Sequence, residues 1–312
     1  AKKAHSKDYA QAVGAAKEFF RERFPEGIDA ELRKIAITFQ DFKTAEVYQY
    51  GSGCWGALKN IENKAQNLPP VSKTLEFYED SITEEQQPFL NLIKNGYLEE
   101  TDENLAPKGY AISEYFKELL EKSLQDPKGN NWFSYYHLGV IEYGLGNIEK
   151  AQKYWQKSYD LKPNAWALRN IAMLYKNIYR ESYIAAEYMK TVIKLNQHLS
   201  LYKDCAETLI QAEQYEEWLN ICADMPDSIS KTGRIRYYKA FCLNRLGRNE
   251  EASRILNYDF VMEDIREGEL SLSELWYDIY GALLFGQNMP REEIIKKVDM
   301  AKPLKNLNFK MD

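Results

Sequence analysis

The chain has 312 residues, of which 45% are hydrophobic and 28% charged, and carries a formal net charge of -6. That apolar share can bury a core, whereas the acidic balance argues against nucleic acid, because neutralising phosphates needs a clustered excess of Lys and Arg. No apolar run is long enough to span a bilayer, and Ala1-Lys2-Lys3-Ala4-His5-Ser6-Lys7 lacks the apolar core of a signal peptide; the expectation is an excised or processed piece of a longer cytoplasmic protein.

In chain order, residues 8–23 read as an amphipathic helix through Tyr9, Val13, Phe19 and Phe20, ended by Phe24-Pro25-Glu26-Gly27. Residues 31–50 read as a second helix, although Ile37-Thr38-Phe39 also fits an extended segment. Gly51-Ser52-Gly53-Cys54-Trp55-Gly56 matches the dinucleotide fingerprint literally. That fingerprint needs an entering strand and an acidic residue about twenty positions on. The entry here reads as helical and no second strand follows, so two readings remain: a tight glycine turn with Trp55 packed beneath, or a ligand-facing turn with Gly53 and Trp55 at the mouth of a groove. Further helices are predicted at 55–68, stopped by Pro69-Pro70, and around 75–79, 84–95 and 112–124. The stretch 99–108 is polar and contains Pro107. A junction between it and Asp126-Pro127 divides the chain into a helical region, 1–125, and a repeat domain, 126–312 with capping helices and a tail. Whether the first part is its own domain stays open at this point.

From Trp132 to Pro163 the spacing changes character. Leu138-Gly139 sit in one predicted helix, Gly146-Asn147 make a turn, Ala151 and Trp155 lie four apart in the next helix, and Pro163 stops it. Two antiparallel helices approach closely only where side chains are small, so Gly139 and Ala151 supply gaps and Trp155 the knob that fills them. One such pair cannot cover its own apolar face, so neighbours must stack on it. Degraded copies follow. Ile171-Ala172, Tyr175, Ala185, Met189 and Val192 mark the second, with a turn that has no glycine. Ala206, Leu209, Trp218 and Ile221, with Pro226, mark the third, and Ala240, Leu243, Leu246-Gly247 and Glu250-Glu251-Ala252 the fourth. Gly146 and Gly247 lie 101 residues apart, one short of three 34-residue periods. Leu275-Trp276-Tyr277 through Phe285 and a helix near 290–302 read as a final capping pair, with the tail 303–312 laid against it as an extended strip.

Chemical motifs are weak. Cys54, Cys205, Cys222 and Cys242 have neither metal-ligand spacing nor nearby histidines, which points to buried thiols in a reducing compartment. Glu216-Glu217, Glu250-Glu251 and Glu292-Glu293 each begin a predicted helix, where negative charge suits the positive end of the dipole. No catalytic, cofactor or metal residue is assigned. If the pairs form a solenoid, the first helix of each lines the inner curve and its open positions meet a protein or peptide in the groove. By position these are Phe133, Tyr136 and Tyr143, then Arg169, Met173 and Lys176, then Arg234, Tyr237 and Asn244. Tyr and Arg suit recognition because they combine contact area with hydrogen bonds, although several of these residues would also serve to pack one repeat on the next.

Residues 132–256 resemble tetratricopeptide repeats, on the Leu-Gly pair, the Ala-x-x-x-aromatic and the Pro at a period of 34. The resemblance implies an all-α, right-handed superhelical stack of antiparallel helix pairs that binds without catalysing. Tyr50 to Leu58 and Asn306-Leu307-Asn308-Phe309-Lys310-Met311 are also similar to the carboxy-terminal half of an uncharacterised bacterial family that joins a mutarotase-like β-sandwich to such repeats. Cys54 interrupts the expected Gly-Ser-Gly-Trp-Gly. This second resemblance implies a scaffold of a carbohydrate-associated protein, with a helical region that completes a carbohydrate-binding or glycoside-active site as the alternative.

Overall fold

The computed structural model of the chain describes residues 56–71, 77–266, 268–286, 291–298 and 305–308. The described residues are helical, with no strand among them. The predicted helices over 8–23 and 31–50, and the turn holding Gly53, Cys54 and Trp55, lie outside them. The chain divides into two compact units, Ala1–Leu90 with Gly109–Glu118 and Asn91–Lys108 with Leu119–Asp312.

In the first unit α1, Gly56–Ala65, buries Ala57 and Leu58 on one face. It ends where Asn67 adopts a left-handed φ of 56° and Asn63 Nδ2 donates to the Pro69 carbonyl at 2.8 Å. Glu62 is fully buried, and its carboxylate accepts from Lys59 Nζ at 2.7 Å. Two helices straddle the division, α2 at Gln87–Asn95 and α3 at Glu114–Ser123. Phe89 and Phe116 meet edge to face at 5.6 Å within the first unit.

The second unit is a succession of helices. They are α4 (Trp132–Gly144), α5 (Ile148–Leu161), α6 (Ala165–Leu174, continued by a π turn at Tyr175–Tyr179), α7 (Ser182–Leu195), α8 (Leu199–Gln211) and α9 (Tyr215–Ala223). A short α10 (Asp227–Ser230) precedes α11 (Gly233–Arg245), α12 (Asn249–Ile255), α13 (Ser271–Phe285) and α14 (Arg291–Val298). From α5 to α9 each helix packs on the one before it. Beyond the short α10, α9 meets α11, and α11 to α14 again pack in sequence. In addition α8 touches α11, and α11 touches α13.

The α4–α5 pair is built as its residue sizes require. Ser158 Oγ donates to the Trp132 carbonyl at 2.8 Å, Trp155 Nε1 donates to the Tyr136 carbonyl at 3.1 Å, and Asn147 Nδ2 donates to Glu142 at 2.7 Å. Rising numbers on one helix meet falling numbers on the other, so the two run antiparallel. A Cβ on Gly139 would lie 2.4 Å from the Trp155 ring, so only glycine fits there. Ala151 is fully buried and Trp155 is 3% exposed, in a cluster with Ala167, Ile171 and Leu174 of α6. Burying the indole removes on the order of 200 Å² from water, about 5 kcal/mol before entropy is charged against it.

Each of the four helix pairs turns on one residue in the left-handed region: Gly146 (φ 83°), Arg180 (φ 61°), Glu213 (φ 57°) and Gly247 (φ 75°). Their spacings are 34, 33 and 34 residues. The next residue in each turn donates its N–H back into the preceding helix: Asn147 to Glu142, Glu181 to Tyr175, Gln214 to Leu209 and Arg248 to Leu243, all at 2.8 to 2.9 Å. The second of these bonds spans one residue more than the others because the π turn inserts that residue at the end of α6. A second core joins α11, α12 and α13, with Phe260, Leu272, Trp276 and Ile279 buried. Leu307 enters the same core from a 3-10 turn at Lys305–Leu307, tied by Asn306 Nδ2 to the carbonyls of Asn257 and Phe260. The described part of the tail is therefore a compact turn and not the extended strip its sequence suggests.

Candidate functional site

The first-helix residues proposed for recognition fall into distinct settings. Phe133 is buried, stacks on Tyr136 with 3° between ring planes, and meets the His137 ring edge-on at 4.4 Å. Tyr143 is the most open, 44% exposed, with its ring 5.9 Å from Trp155. On α6, Arg169 Nε donates to Asp204 of α8 at 2.8 Å, Lys176 Nζ lies 3.6 Å from Glu207 of α8, and Met173 is half-buried. On α11, Arg234 is held by Asp264 at 2.9 Å and Glu269 at 2.8 Å, and its guanidinium lies 5.9 Å from the Tyr237 ring. Asn244 Nδ2 donates to Asn249 Oδ1 at 2.7 Å across the turn. The basic members of this row therefore each engage a carboxylate of a neighbouring element. Gly53 and Trp55, which a ligand-facing turn would need, lie outside the described residues.

A different set of side chains forms a more organised arrangement, and sequence reasoning had not singled it out. A non-helical strap, residues 97–108, lies across the starts of α4 and α6. Asn131, the N-cap of α4, accepts from Ser134 N at 3.0 Å and donates to the carbonyls of Leu98 and Lys128, both at 2.8 Å. Trp132 Nε1 donates to the Thr101 carbonyl at 3.3 Å, Trp166 Nε1 to the Glu103 carbonyl at 3.1 Å, and Asn196 Nδ2 to the Asn104 carbonyl at 2.8 Å. Lys162 bridges Glu100 at 3.0 Å and Glu103 at 2.8 Å, and Lys128 lies over the Tyr97 ring at 5.3 Å. An open cleft of about 560 Å³ between Tyr97, Lys128, Trp132 and Lys162 borders the strap. The ammonium of Lys162 holds the Glu103 carboxyl below its usual range, and the carboxylates of Glu103 and Glu100 raise Lys162 in return. The Asn104 backbone N–H holds Asp102 low. A signal existed in the sequence: Trp132 and Trp166, and Lys128, Lys162 and Asn196, recur at one repeat period.

The described thiols and His137 are withdrawn from chemistry. Cys205, Cys222 and Cys242 are buried and free. Burial pushes the thiols of Cys205 and Cys222 up to about 12, and that of Cys242 upward too, which leaves almost no nucleophilic thiolate. Burial lowers His137 to about 3, so its ring is neutral at neutral pH. Among the described residues no group of three or more His, Cys, Asp or Glu is placed to hold a metal ion, and no helix is long and apolar enough to cross a membrane. No protein-family model matches the chain and no curated protein is significantly similar to it.

Proposed function

We propose that the chain is a non-catalytic scaffold of the tetratricopeptide type, a right-handed superhelical stack whose concave groove holds a protein or peptide. The same stack would alternatively serve to support an attached domain of a larger, carbohydrate-associated protein. The observation that carries this reading is the recurrence of a single left-handed turn residue at Gly146, Arg180, Glu213 and Gly247, on helices that pack in chain order. Regular stacking of that kind builds a long continuous surface from units that are unstable alone, and such surfaces serve recognition. The withdrawn state of the thiols and of His137 fits a binding role better than a catalytic one.

Selecting a phage-displayed peptide library on the full chain, then titrating synthetic versions of the enriched peptides, tests the proposal. Binding is expected to weaken at least several-fold in Tyr143→Ala and Met173→Ala, each of which strips contact area from the first-helix row, and to persist in Lys157→Ala on α5. An empty selection, or peptides indifferent to all three changes, would refute it. So would a Trp fluorescence response to an oligosaccharide panel in a chain that binds no peptide.

A further inference from the structure

The strap lies on a particular kind of edge. The first helices of successive pairs begin at Trp132, Ala165, Leu199 and Gly233. Helix starts carry unpaired N–H groups and the positive end of the dipole, so acidic segments are favoured there. The chain supplies two. Residues 99–104, Glu-Glu-Thr-Asp-Glu-Asn, cross the starts of α4 and α6. Glu263, Asp264 and Glu269 lie at the start of α11, where Glu263 accepts from Gly233 N at 3.1 Å, Arg234 pairs with Asp264 and Glu269, and Lys203 of α8 reaches Asp264 at 2.5 Å.

The bonds that hold the first strap are largely indifferent to its side chains. Leu98, 1% exposed, is its apolar anchor. Beyond it the donors Trp132, Trp166 and Asn196 all meet main-chain carbonyls, which any peptide presents. Within residues 99–104 Lys162 makes ion pairs with Glu100 and Glu103, so it reads carboxylates. Glu99, Glu100, Asp102 and Asn104 are exposed and Leu105 is 63% exposed, so these side chains themselves bury little apolar area in the strap. The donors repeat with the helices, so they form a row in which one peptide's successive carbonyls find successive partners.

We infer that the row Trp132, Lys162, Trp166 and Asn196 is a binding site for a short acidic peptide in non-helical conformation, and that residues 99–104 are its resident, exchangeable occupant. The site is separate from the first-helix groove and does not depend on that groove having a ligand. A tethered strap competes at an effective concentration on the order of millimolar, so an outside peptide engages the intact chain weakly unless the strap's own charges are removed.

The probe is the synthetic hexapeptide Glu-Glu-Thr-Asp-Glu-Asn, added to the full chain while the indole N–H signals of Trp132 and Trp166 are followed by NMR. In the unaltered chain both signals are expected to shift only at millimolar peptide. In the Glu100→Gln, Glu103→Gln double variant the midpoint is expected to fall by about three- to ten-fold, the range that two solvent-facing ion pairs allow. Adding Lys162→Glu to that background should abolish the response, and the amide peptide Gln-Gln-Thr-Asn-Gln-Asn should bind several-fold more weakly. Indole signals that stay still at saturating peptide in both the unaltered and the double-variant chains would overturn the inference, as would equal shifts with the acidic and amide peptides. Reading the unaltered chain keeps the test decisive even if the double variant does not fold.

Discussion

Gly139→Ala is the sharpest perturbation this architecture offers, because one added methyl group opposes one indole. The new Cβ would sit 2.4 Å from both Cδ1 and Nε1 of Trp155. Carbon atoms pack comfortably at about 3.5–4.0 Å, so the ring must retreat by roughly 1 Å. Trp155 is 3% exposed and Nε1 already lies 3.1 Å from the Tyr136 carbonyl, so the retreat stretches that hydrogen bond beyond useful range. Overpacking costs about 1–3 kcal/mol and the lost bond about 1 kcal/mol. The better helix propensity of Ala returns about 1 kcal/mol. The net is a destabilisation of about 1–3 kcal/mol, read as a lower urea midpoint in equilibrium unfolding. If the indole is the cause, the same change in a Trp155→Phe background must cost less, with a coupling of about 1 kcal/mol or more. An unchanged or raised midpoint for Gly139→Ala, or an equal cost in both backgrounds, would refute the reasoning.

Three more outcomes are expected. His137 has a folded-state pKa lowered by burial to about 3, against 6.5 unfolded. The unfolded chain therefore binds the extra proton between those values. The group costs nothing above pH 6.5 and removes stability as pH falls, by roughly 2 kcal/mol between pH 7 and pH 5; urea midpoints at the two pH values should show this slope, and His137→Leu should remove it. Glu213 holds a left-handed φ of 57° on an exposed turn, so Glu213→Gly should raise stability by about 0.5–1 kcal/mol and Gly247→Ala should lower it by a similar amount, both measured by thermal melting. Cys205, Cys222 and Cys242 should resist a thiol reagent at pH 7.5 in the folded chain and react at once in denaturant; fast labelling of the native chain at any of the three would contradict their burial.

Much of the helical plan was legible along the chain, because local chemistry sets it. The Gly139, Ala151, Trp155 triad announced a close helix pair, and Gly146 and Gly247 announced two turns from a conformation that glycine alone adopts freely. The two intervening turns were harder to read, since Arg180 and Glu213 hold left-handed backbone without the residue that usually signals it. There the packing of the flanking helices imposes the conformation against local preference. The extra residue in the π turn at Tyr175–Tyr179 likewise blurs the period in the sequence while the turn itself stays in place.

By itself the sequence determined the helical class and the positions of its close contacts, because hydrophobic period, residue size and backbone freedom act within a few residues. Tertiary structure alone decided the surfaces. The polarity of residues 99–108 reads as a junction, and nothing local could disclose that their carbonyls meet Trp132, Trp166 and Asn196 across separations of 31 to 92 residues. Nor could composition show that Arg169, Lys176 and Arg234 are engaged by carboxylates on neighbouring elements. The physical reason is that these partners are chosen by which helix starts come to lie side by side, and that is settled only once the helices have stacked.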